Sequence, residues 1–256
     1  MNEDEIQRED DQLIINDVAR AVEENEFVPY VQPTYELATK KILAAESFVR
    51  WTLPEDGTVV AAALFVPSLE RTNTICGLDW YMVNELCAFL GDEASAGARA
   101  PIALNFSHQH ADDPDFAKNL SSTADWRGVA HKLMCVEVSE RSILDDTRLG
   151  EGLIPSVIAA GFPVIVDNFA GDAEALRALA ALGVKRVKVS ASKWRDGDPT
   201  GLAELVSAAA GADVTLIAEG IETDEEASGL LEAGIACGQG FGLAKPMGLE
   251  EYLKLF

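Results

Sequence analysis

Apolar runs of strand length alternate with helical patterns along almost the whole chain. Runs rich in β-branched and aromatic residues predict eight strands, at 27–33, 41–51, 101–107, 132–139, 162–169, 184–190, 214–220 and 235–241. Helical periodicity predicts helices in the links between most of them, and the helices at 173–183 and 202–211 each end at a glycine. Strands joined through a helix pair in parallel, so the pattern predicts parallel crossover units.

The link between the first two strands differs from the others. Residues 34–40 are too few to contain a crossover helix, so the first strand should pair antiparallel with the second. The predicted fold is therefore α/β, a TIM-like (β/α)8 barrel with its first strand antiparallel, and 256 residues suit one such barrel. We predict an acidic flexible leader at 1–11 and the barrel domain at 12–256, with Asp11 capping the first helix.

Charge and composition narrow the classes of partner. The formal net charge of −23 should repel DNA, RNA and anionic membranes, whose binding requires clustered lysines and arginines. A small anionic ligand is compatible with this charge where local cations or a metal override it. The uncharged run 152–166 is too short for a membrane helix and contains two prolines. Four widely spaced cysteines indicate buried, reduced thiols, as expected of a cytoplasmic protein.

Each predicted strand carries a polar or charged residue at or near its end. These residues are Gln32, Glu46, Arg50, Asn105, Glu137, Glu140, Asp167, Asn168, Lys188, Glu219, Glu222 and Gln239. In such a barrel the carboxyl ends of the strands meet at one mouth, so these side chains should converge. Carboxylates gathered there would repel one another without a cation, and hard oxygen ligands suit Mg²⁺ or Mn²⁺. Capping of the following helices would explain one or two of these acids but poorly explains the whole set.

Short motifs in a fixed order carry a resemblance to a known family. They are Y-V-Q-P (30–33), E-S-F-V-R-W (46–51), L-N-F-S (104–107), E-V-S-E (137–140), D-N-F-A-G (167–171), V-K-V (187–189), A-E-G-I-E-T (218–223), Q-G-F (239–241) and K-P-M (245–247). Through them nearly the whole chain resembles the EAL domains, which hydrolyse the bacterial second messenger cyclic di-GMP to linear pGpG. The resemblance implies a barrel with an antiparallel first strand pair, cyclic di-GMP as the ligand and Mg²⁺ or Mn²⁺ as cofactor.

The resemblance also implies a role for most of these residues. The ligands of a first metal are matched by Glu46, Asn105, Glu137 and Asp167. Glu219 matches the general base for the attacking water, and Lys188 matches the residue that helps to position this water. The positions that contact or orient the nucleotide are matched by Gln32, Arg50, Gln239 and Glu222. The implied chemistry is a two-metal hydrolysis.

Departures from the family pattern bear on catalysis. The name motif Glu-Ala-Leu reads Glu46-Ser47-Phe48, which keeps the ligating glutamate. The family's paired aspartates read Asp167-Asn168, so an amide stands where an acid is expected on the second metal. An amide oxygen can reach Mg²⁺ but supplies no charge to hold the ion or acidify water, so we expect weak or conditional hydrolysis. The loop after Asn168 also departs from the usual sequence.

Three functions are compatible with the sequence. The first is a cyclic di-GMP phosphodiesterase, the second a receptor that binds the nucleotide without cutting it, and the third a protein-interaction scaffold. Asn168 favours the receptor, whereas Glu219 with Lys188 favours the enzyme, and intact nucleotide-binding positions argue against the scaffold. The altered loop lies where the family couples dimer contacts to activity, so a homodimer or a partner protein is a further expectation.

Two other features receive structural interpretations. His108 and His110 follow Asn105 and are predicted to lie in a solvated loop rather than to contact the nucleotide. Three glycines at 238, 240 and 242 follow a strand without opening a long helix. They therefore predict a tight turn of the barrel rather than a phosphate-binding loop.

Overall fold

Eight strands close into one ring in the computed structural model, which describes residues 3–92, 100–192 and 199–256. The strands are β1 (Phe27–Glu36), β2 (Ile42–Thr52), β3 (Val59–Ala61), β4 (Ile102–Asn105), β5 (Met134–Ser139), β6 (Val164–Asp167), β7 (Arg186–Ser190), β8 (Thr215–Glu219), β9 (Cys237–Gly238) and β10 (Met247–Gly248). The ring runs β1, β2, β4, β5, β6, β7, β8, β9 and back to β1. The predicted TIM-like barrel is confirmed.

Strand β1 is the reversed strand of the ring. It pairs antiparallel with β2, with Gln32 opposite Glu46, and antiparallel with β9. The other neighbours in the ring pair in parallel, as Asn105 does with Glu137. The antiparallel first pair is therefore confirmed. Two short strands lie outside the ring, β3 against β2 and β10 against β1. Two or three residues are too few to show a periodic pattern, so the sequence does not predict these two strands.

Helices cover the outer face of the ring. They are α1 (Glu3–Glu23), α2 (Val66–Arg71), α3 (Ile75–Gly91), α4 (Phe116–Trp126), α5 (Glu140–Asp145), α6 (Ile154–Ala159), α7 (Ala173–Ala181), α8 (Pro199–Ala212), α9 (Asp224–Glu232) and α10 (Leu249–Leu253). The main hydrophobic core lies between strands and helices, where Leu86 and Leu120 of the helices and Val136 and Val187 of the strands are buried together. None of the described helices is long and apolar enough to cross a bilayer.

The amino-terminal segment differs from the expectation for Asp11. Helix α1 begins at Glu3, so Asp11 lies inside the helix and does not cap it. Its buried carboxylate instead pairs with Arg71 of α2, with Nη2 and Oδ1 2.6 Å apart, which ties α1 to the barrel. Part of the predicted leader is helical in this structure, and the domain boundary at residue 11 stays a prediction.

The cysteines are only partly buried. All four are free thiols, and Cys87 and Cys135 are buried as expected, whereas Cys76 and Cys237 are partly exposed. Cys237 faces the barrel interior near its amino end, where a cavity keeps it partly accessible.

The barrel interior consists of two layers of side chains. Successive residues of a strand face opposite sides, so residues two positions apart face the same interior. The upper layer, at the carboxyl ends of the parallel strands, comprises Gln32, Glu46, Asn105, Glu137, Asp167, Lys188, Glu219 and Gln239. The lower layer comprises Thr34, Ala44, Ala103, Cys135, Ile165, Arg186, Ile217 and Cys237. The upper layer is polar throughout, whereas the lower layer is mostly small or apolar.

Candidate functional site

Lys188 lies at the centre of the upper layer. Strand β7 directs it into the barrel, where it is 1% exposed, and its Nζ donates to Glu46 Oε2 (2.6 Å) and Glu137 Oε1 (2.5 Å). Burial disfavours a charged ammonium, but the two carboxylates outweigh burial and raise the pKa of Lys188. Lys188 is therefore charged and links β2 to β5 across the barrel.

Glu46 accepts hydrogen bonds from two other strands of the ring and from the residue that follows β9. Besides Lys188, Asn105 Nδ2 donates to its Oε1 (3.1 Å) and Gln239 Nε2 donates to its Oε2 (2.5 Å). Gln239 is held in turn by Thr34, whose Oγ1 donates to Oε1 of the amide (2.9 Å). Burial raises the pKa of Glu46, but Lys188 and these donors outweigh burial and lower it. Glu46 is therefore ionised.

The layer contains more carboxylates than cations. Burial and the neighbouring carboxylates raise the pKa of Glu137 well above its usual value and also raise that of Asp167. Burial and Asp167 raise the pKa of Glu219 to about 7. Two oxygens, Glu137 Oε2 and Asp167 Oδ1, are buried without a hydrogen-bond partner in the described part of the chain. Such atoms are rare in folded proteins, so this layer requires a further cation or bound protons.

The chemistry of these donors fits a hard divalent cation. Carboxylates and the Asn105 amide oxygen are ligand types that Mg²⁺ and Mn²⁺ prefer, and the two unpartnered oxygens are unused acceptors. Within the described ranges, however, no three His, Cys, Asp or Glu side chains already surround one metal position. Lys188 now holds Glu46 and Glu137, and the Asn105 nitrogen faces Glu46. Ion binding therefore requires side-chain rotation, including a flip of the Asn105 amide.

Asn168 contacts the carboxylate that precedes it. Its φ of +54° is a left-handed conformation, which asparagine adopts more readily than most residues. Its Nδ2 donates to Asp167 Oδ2 at 2.5 Å. The amide nitrogen rather than the amide oxygen thus faces Asp167. A ligand role for Asn168 would need the amide to turn over, and it stays a prediction.

A cleft of about 330 Å³ opens above the upper layer, between β2, β4 and α3. Glu137, Asp167 and Asn168 line its floor, and Phe48 and Ser107 line its walls. This volume is at the lower end of the range for ligand pockets, about 300–1,000 Å³. The cleft therefore joins the carboxylate layer to solvent and could admit part of a ligand.

The expected nucleotide contacts do not all lie in the layer. Gln32 and Gln239 belong to it, and Gln32 Nε2 donates to Ala244 O (2.8 Å). Glu222 is exposed on the loop after β8 and lies outside the layer. That loop packs against the glycine segment, where a Cβ on Gly240 would lie 2.2 Å from Ile221 N. The chain turns at residues 241–243, where the N–H of Leu243 donates to Gly240 O (3.0 Å), so the tight-turn interpretation of the glycines is confirmed.

Residues 15–246 match the sequence profile of the EAL domain. This chain belongs to the EAL domain family. Among curated relatives, RocR of Pseudomonas aeruginosa, a cyclic di-GMP phosphodiesterase, is 23% identical over 244 residues, which are 93% of this chain and 62% of RocR. The signaling protein YkoW of Bacillus subtilis is 24% identical over 237 residues, 91% of this chain and 30% of YkoW. The chain thus spans less than two thirds of the length of these relatives.

Solved EAL structures share the fold. The MucR phosphodiesterase in complex with cyclic di-GMP has a TM-score of 0.82 at 20% identity, with 93% of this chain and 99% of that chain covered. The FimX EAL domain of Xanthomonas citri, also in complex with cyclic di-GMP, has a TM-score of 0.83 at 18% identity, with 96% and 97% covered. At these identities the comparison shows a common barrel.

This EAL domain holds Arg50 between two aromatic rings. The guanidinium carbon lies 5.8 Å from the ring centroid of Tyr30 and 5.6 Å from that of Phe48, and Nη1 donates to Val49 O (2.9 Å). Tyr30 and Phe48 are directly opposite each other on β1 and β2. Phe48 replaces the leucine of the family's name motif. The departure from the motif is visible in the sequence, whereas the contact of Phe48 with Arg50 depends on strand register and is not.

Glu140 anchors the loop that follows Asp167. Its Oε2 accepts the N–H of Ala170 (2.8 Å) and its Oε1 accepts the N–H of Gly171 (3.1 Å). A Cβ on Gly171 would lie 2.6 Å from Glu140 Oε1, so a glycine allows this approach. The sequence analysis placed Glu140 at a strand end without a role, because its partners lie 30 residues away.

His110 is buried, so the prediction of a solvated loop is wrong for it. Its Nε2 lies 2.9 Å from Asp79 Oδ2, and the N–H of Ser107 donates to the same oxygen (3.2 Å). Burial disfavours the charged ring, but Asp79 outweighs burial and raises the pKa of His110 to about 9. The pair ties α3 to the loop after β4, whereas His108 is exposed as predicted.

Proposed function

We propose that this EAL domain hydrolyses cyclic di-GMP to linear pGpG with Mg²⁺ or Mn²⁺, and that it does so weakly or conditionally. The observation that carries the proposal is the excess of buried carboxylates in the upper layer, two of whose oxygens have no partner among the described residues. Strongly perturbed carboxyl groups gathered at a cleft are typical of functional sites. The relationship to the RocR phosphodiesterase supports the same substrate.

The proposed metal ligands belong to the upper layer, apart from Asn168, which follows Asp167 in sequence. Glu46, Asn105, Glu137 and Asp167 would hold a first ion, and Asp167 with Asn168 would hold a second. Bound ions of this kind lower the pKa of water and stabilise negative charge that develops on the phosphate. The same ions would neutralise the carboxylates that now raise one another's pKa values.

Glu219 is the proposed general base. Its carboxyl group contacts Asp167, and its pKa of about 7 suits proton abstraction from water near neutral pH. Lys188 has a positioning role, since two of its N–H groups hold Glu46 and Glu137. Its third N–H group is proposed to orient the attacking water.

Arg50 is proposed to bind a phosphate of the nucleotide. Cyclic di-GMP is an anion, and a protein with a net charge of −23 repels it at long range. Local cations must therefore supply the attraction, and a guanidinium held above the carboxylate layer is suited to phosphate. Gln32, Gln239 and Glu222 are proposed to orient the nucleotide bases or sugars around it.

Incubation with cyclic di-GMP and either metal tests the proposal. We expect slow formation of pGpG, measured by chromatography, and its loss when a chelator is added. The matched variant Glu219→Gln should lose at least about 100-fold in rate, because it lacks the general base. Calorimetry should show that this variant still binds cyclic di-GMP with an affinity close to that of the wild type.

Two outcomes would contradict the enzyme. Binding of cyclic di-GMP without pGpG formation, with Mg²⁺ and with Mn²⁺, would identify a receptor. Absence of binding in calorimetry with either metal would leave the interaction scaffold as the better account.

A further inference from the structure

The lower layer of the barrel encloses a cavity. Barrels of this class are normally filled by bulky branched side chains, but here Ala44, Ala103 and Cys237 occupy interior positions. A cavity of about 270 Å³ results, whereas a water molecule occupies about 30 Å³. Thr215 and Leu43 at its margin are exposed, so the cavity reaches solvent at the amino ends of the strands, opposite the candidate active site.

Arg186 projects into this amino-end cavity. It is half-buried, and within the described part of the chain its Nη1 donates a hydrogen bond to Cys135 Sγ at 3.6 Å. A thiol sulfur is a weak acceptor, and no described carboxylate lies within ion-pair distance of Arg186. The adjacent Lys185, by contrast, pairs with Asp213 at 2.9 Å. A partly desolvated guanidinium without a counter-charge is unfavourable, so this site favours an anion.

The surroundings of Arg186 do not supply that anion. Glu46 lies at the roof of the cavity, but Lys188 and Gln239 already satisfy its carboxylate. Thr215, which is paired with Arg186 across β7 and β8, lines the same cavity and contributes a hydroxyl group to its wall. The cavity therefore offers a positive charge and hydrogen-bond donors to a ligand.

We propose that the amino-end cavity binds a small oxyanion, a phosphate or a carboxylate, through Arg186 and Thr215. Two parallel N–H groups of a guanidinium match two oxygens of either ligand, which a spherical halide cannot offer. The cavity volume suits an ion-sized ligand rather than a dinucleotide. The site is one layer below the carboxylates and does not depend on hydrolysis.

Thermal unfolding and calorimetry of the metal-free full chain test the site. Sodium phosphate, sodium acetate and sodium chloride are compared at matched ionic strength. We expect phosphate or acetate, at about 100 times its Kd, to raise the melting temperature by about 5 °C over chloride. The two oxyanion series show which ligand is preferred. Equal effects of all three salts would overturn the proposal.

Three variants assign the effect to the cavity. Arg186→Met keeps the apolar stem but removes the donors, so the oxyanion shift should disappear, whereas the neighbouring control Lys185→Met should retain it. Ala44→Leu fills the cavity while Arg186 stays intact, and it should also lose the shift. An undiminished shift in Arg186→Met or in Ala44→Leu would overturn the site. If Arg186→Met does not fold, Ala44→Leu decides the question.

Discussion

The two interior layers of this barrel differ in packing as well as in charge. In the upper layer Lys188, Asn105 and Gln239 all donate to Glu46, and the carboxylates crowd one another. In the lower layer Arg186 adjoins a cavity, and its hydrogen bond to the described part of the chain goes to a weak acceptor, Cys135 Sγ. The main hydrophobic core lies outside the ring, between strands and helices. In this barrel a closed ring therefore coexists with mutually repelling carboxylates in one interior layer and with a cavity in the other.

The largest effect should come from removing the cation of the upper layer. Lys188→Met leaves Glu46 and Glu137 buried without their counter-charge, which should cost about 3–5 kcal/mol of unfolding free energy. Arg186→Met breaks no ion pair of the described residues, so its cost should stay below about 1 kcal/mol. Denaturant unfolding of both variants measures the difference. Equal losses would show that the two layers contribute alike to stability.

The carboxylates of the upper layer should also make the stability of the protein depend on pH. Burial and Asp167 raise the pKa of Glu219 from about 4.3 in an unfolded chain to about 7 in the folded state. The folded state therefore holds this proton more tightly, and the resulting stability is lost as pH rises from about 4.3 through 7. Between these values the metal-free protein should lose about 1–3 kcal/mol relative to Glu219→Gln, which has no proton to release. Denaturant unfolding at several pH values measures this gap, and a constant gap would contradict the raised pKa.

Patterns within single segments of the sequence predict the upper layer, but they do not predict the cavity in the lower layer or the burial of His110. The parallel crossover units and the convergence of residues such as Glu46 and Asp167 follow from strands that alternate with helices along the chain. The antiparallel first pair follows from the short link at 34–40. The lower cavity does not follow from such patterns, because it arises from small residues on separate strands whose joint volume exists only after closure. The sequence predicts a solvated loop at His110, whereas the buried position of this residue is accompanied by its contact with Asp79, 31 residues away. Catalytic and metal-binding roles in the upper layer stay predictions.

Asn168→Asp tests whether the upper layer lacks one charge. The change removes the hydrogen bond from Asn168 to Asp167 and adds a carboxylate that can hold a second ion. Hydrolysis of cyclic di-GMP should rise at least about tenfold, which is about 1.4 kcal/mol of barrier, with little change in nucleotide affinity. The rate of pGpG formation measures the gain, and an added Glu219→Gln change should abolish it.

If hydrolysis does not rise in Asn168→Asp, the number of metal ions that the variant binds distinguishes two explanations. If titration shows two bound ions in Asn168→Asp and hydrolysis is still absent, the enzyme proposal fails and the receptor becomes the better account. If the variant binds one ion, the loop from Ala170 to Ala173 misplaces residue 168. Substitutions in that loop should then restore the second ion.

The smallest predicted effect concerns the aromatic contact of Arg50, which has no counterpart at Arg186 at the opposite end of the ring. Among the described residues no aromatic ring stacks on Arg186, whereas Arg50 lies between Tyr30 and Phe48. A cation over an aromatic ring is stabilised by about 0.5–1 kcal/mol when partly exposed. The variant Phe48→Leu restores the family residue and removes this ring. The interaction free energy that keeps the Arg50 guanidinium in place should therefore fall by about this amount.

The prediction rests on the proposed function of Arg50 in phosphate binding. Phe48→Leu should raise KM for cyclic di-GMP by about two- to fivefold, because 0.5–1 kcal/mol corresponds to that factor, and should leave kcat unchanged. Phe48→Tyr keeps a ring and should retain the wild-type KM. Calorimetry gives the same test if hydrolysis is too slow to follow. A lower kcat at unchanged KM would instead show that Phe48 positions the carboxylate layer, since Glu46 lies two residues before it on β2. Equal KM values for the wild type, Phe48→Leu and Phe48→Tyr would show that the contribution of Arg50 to nucleotide binding does not depend on the Phe48 ring.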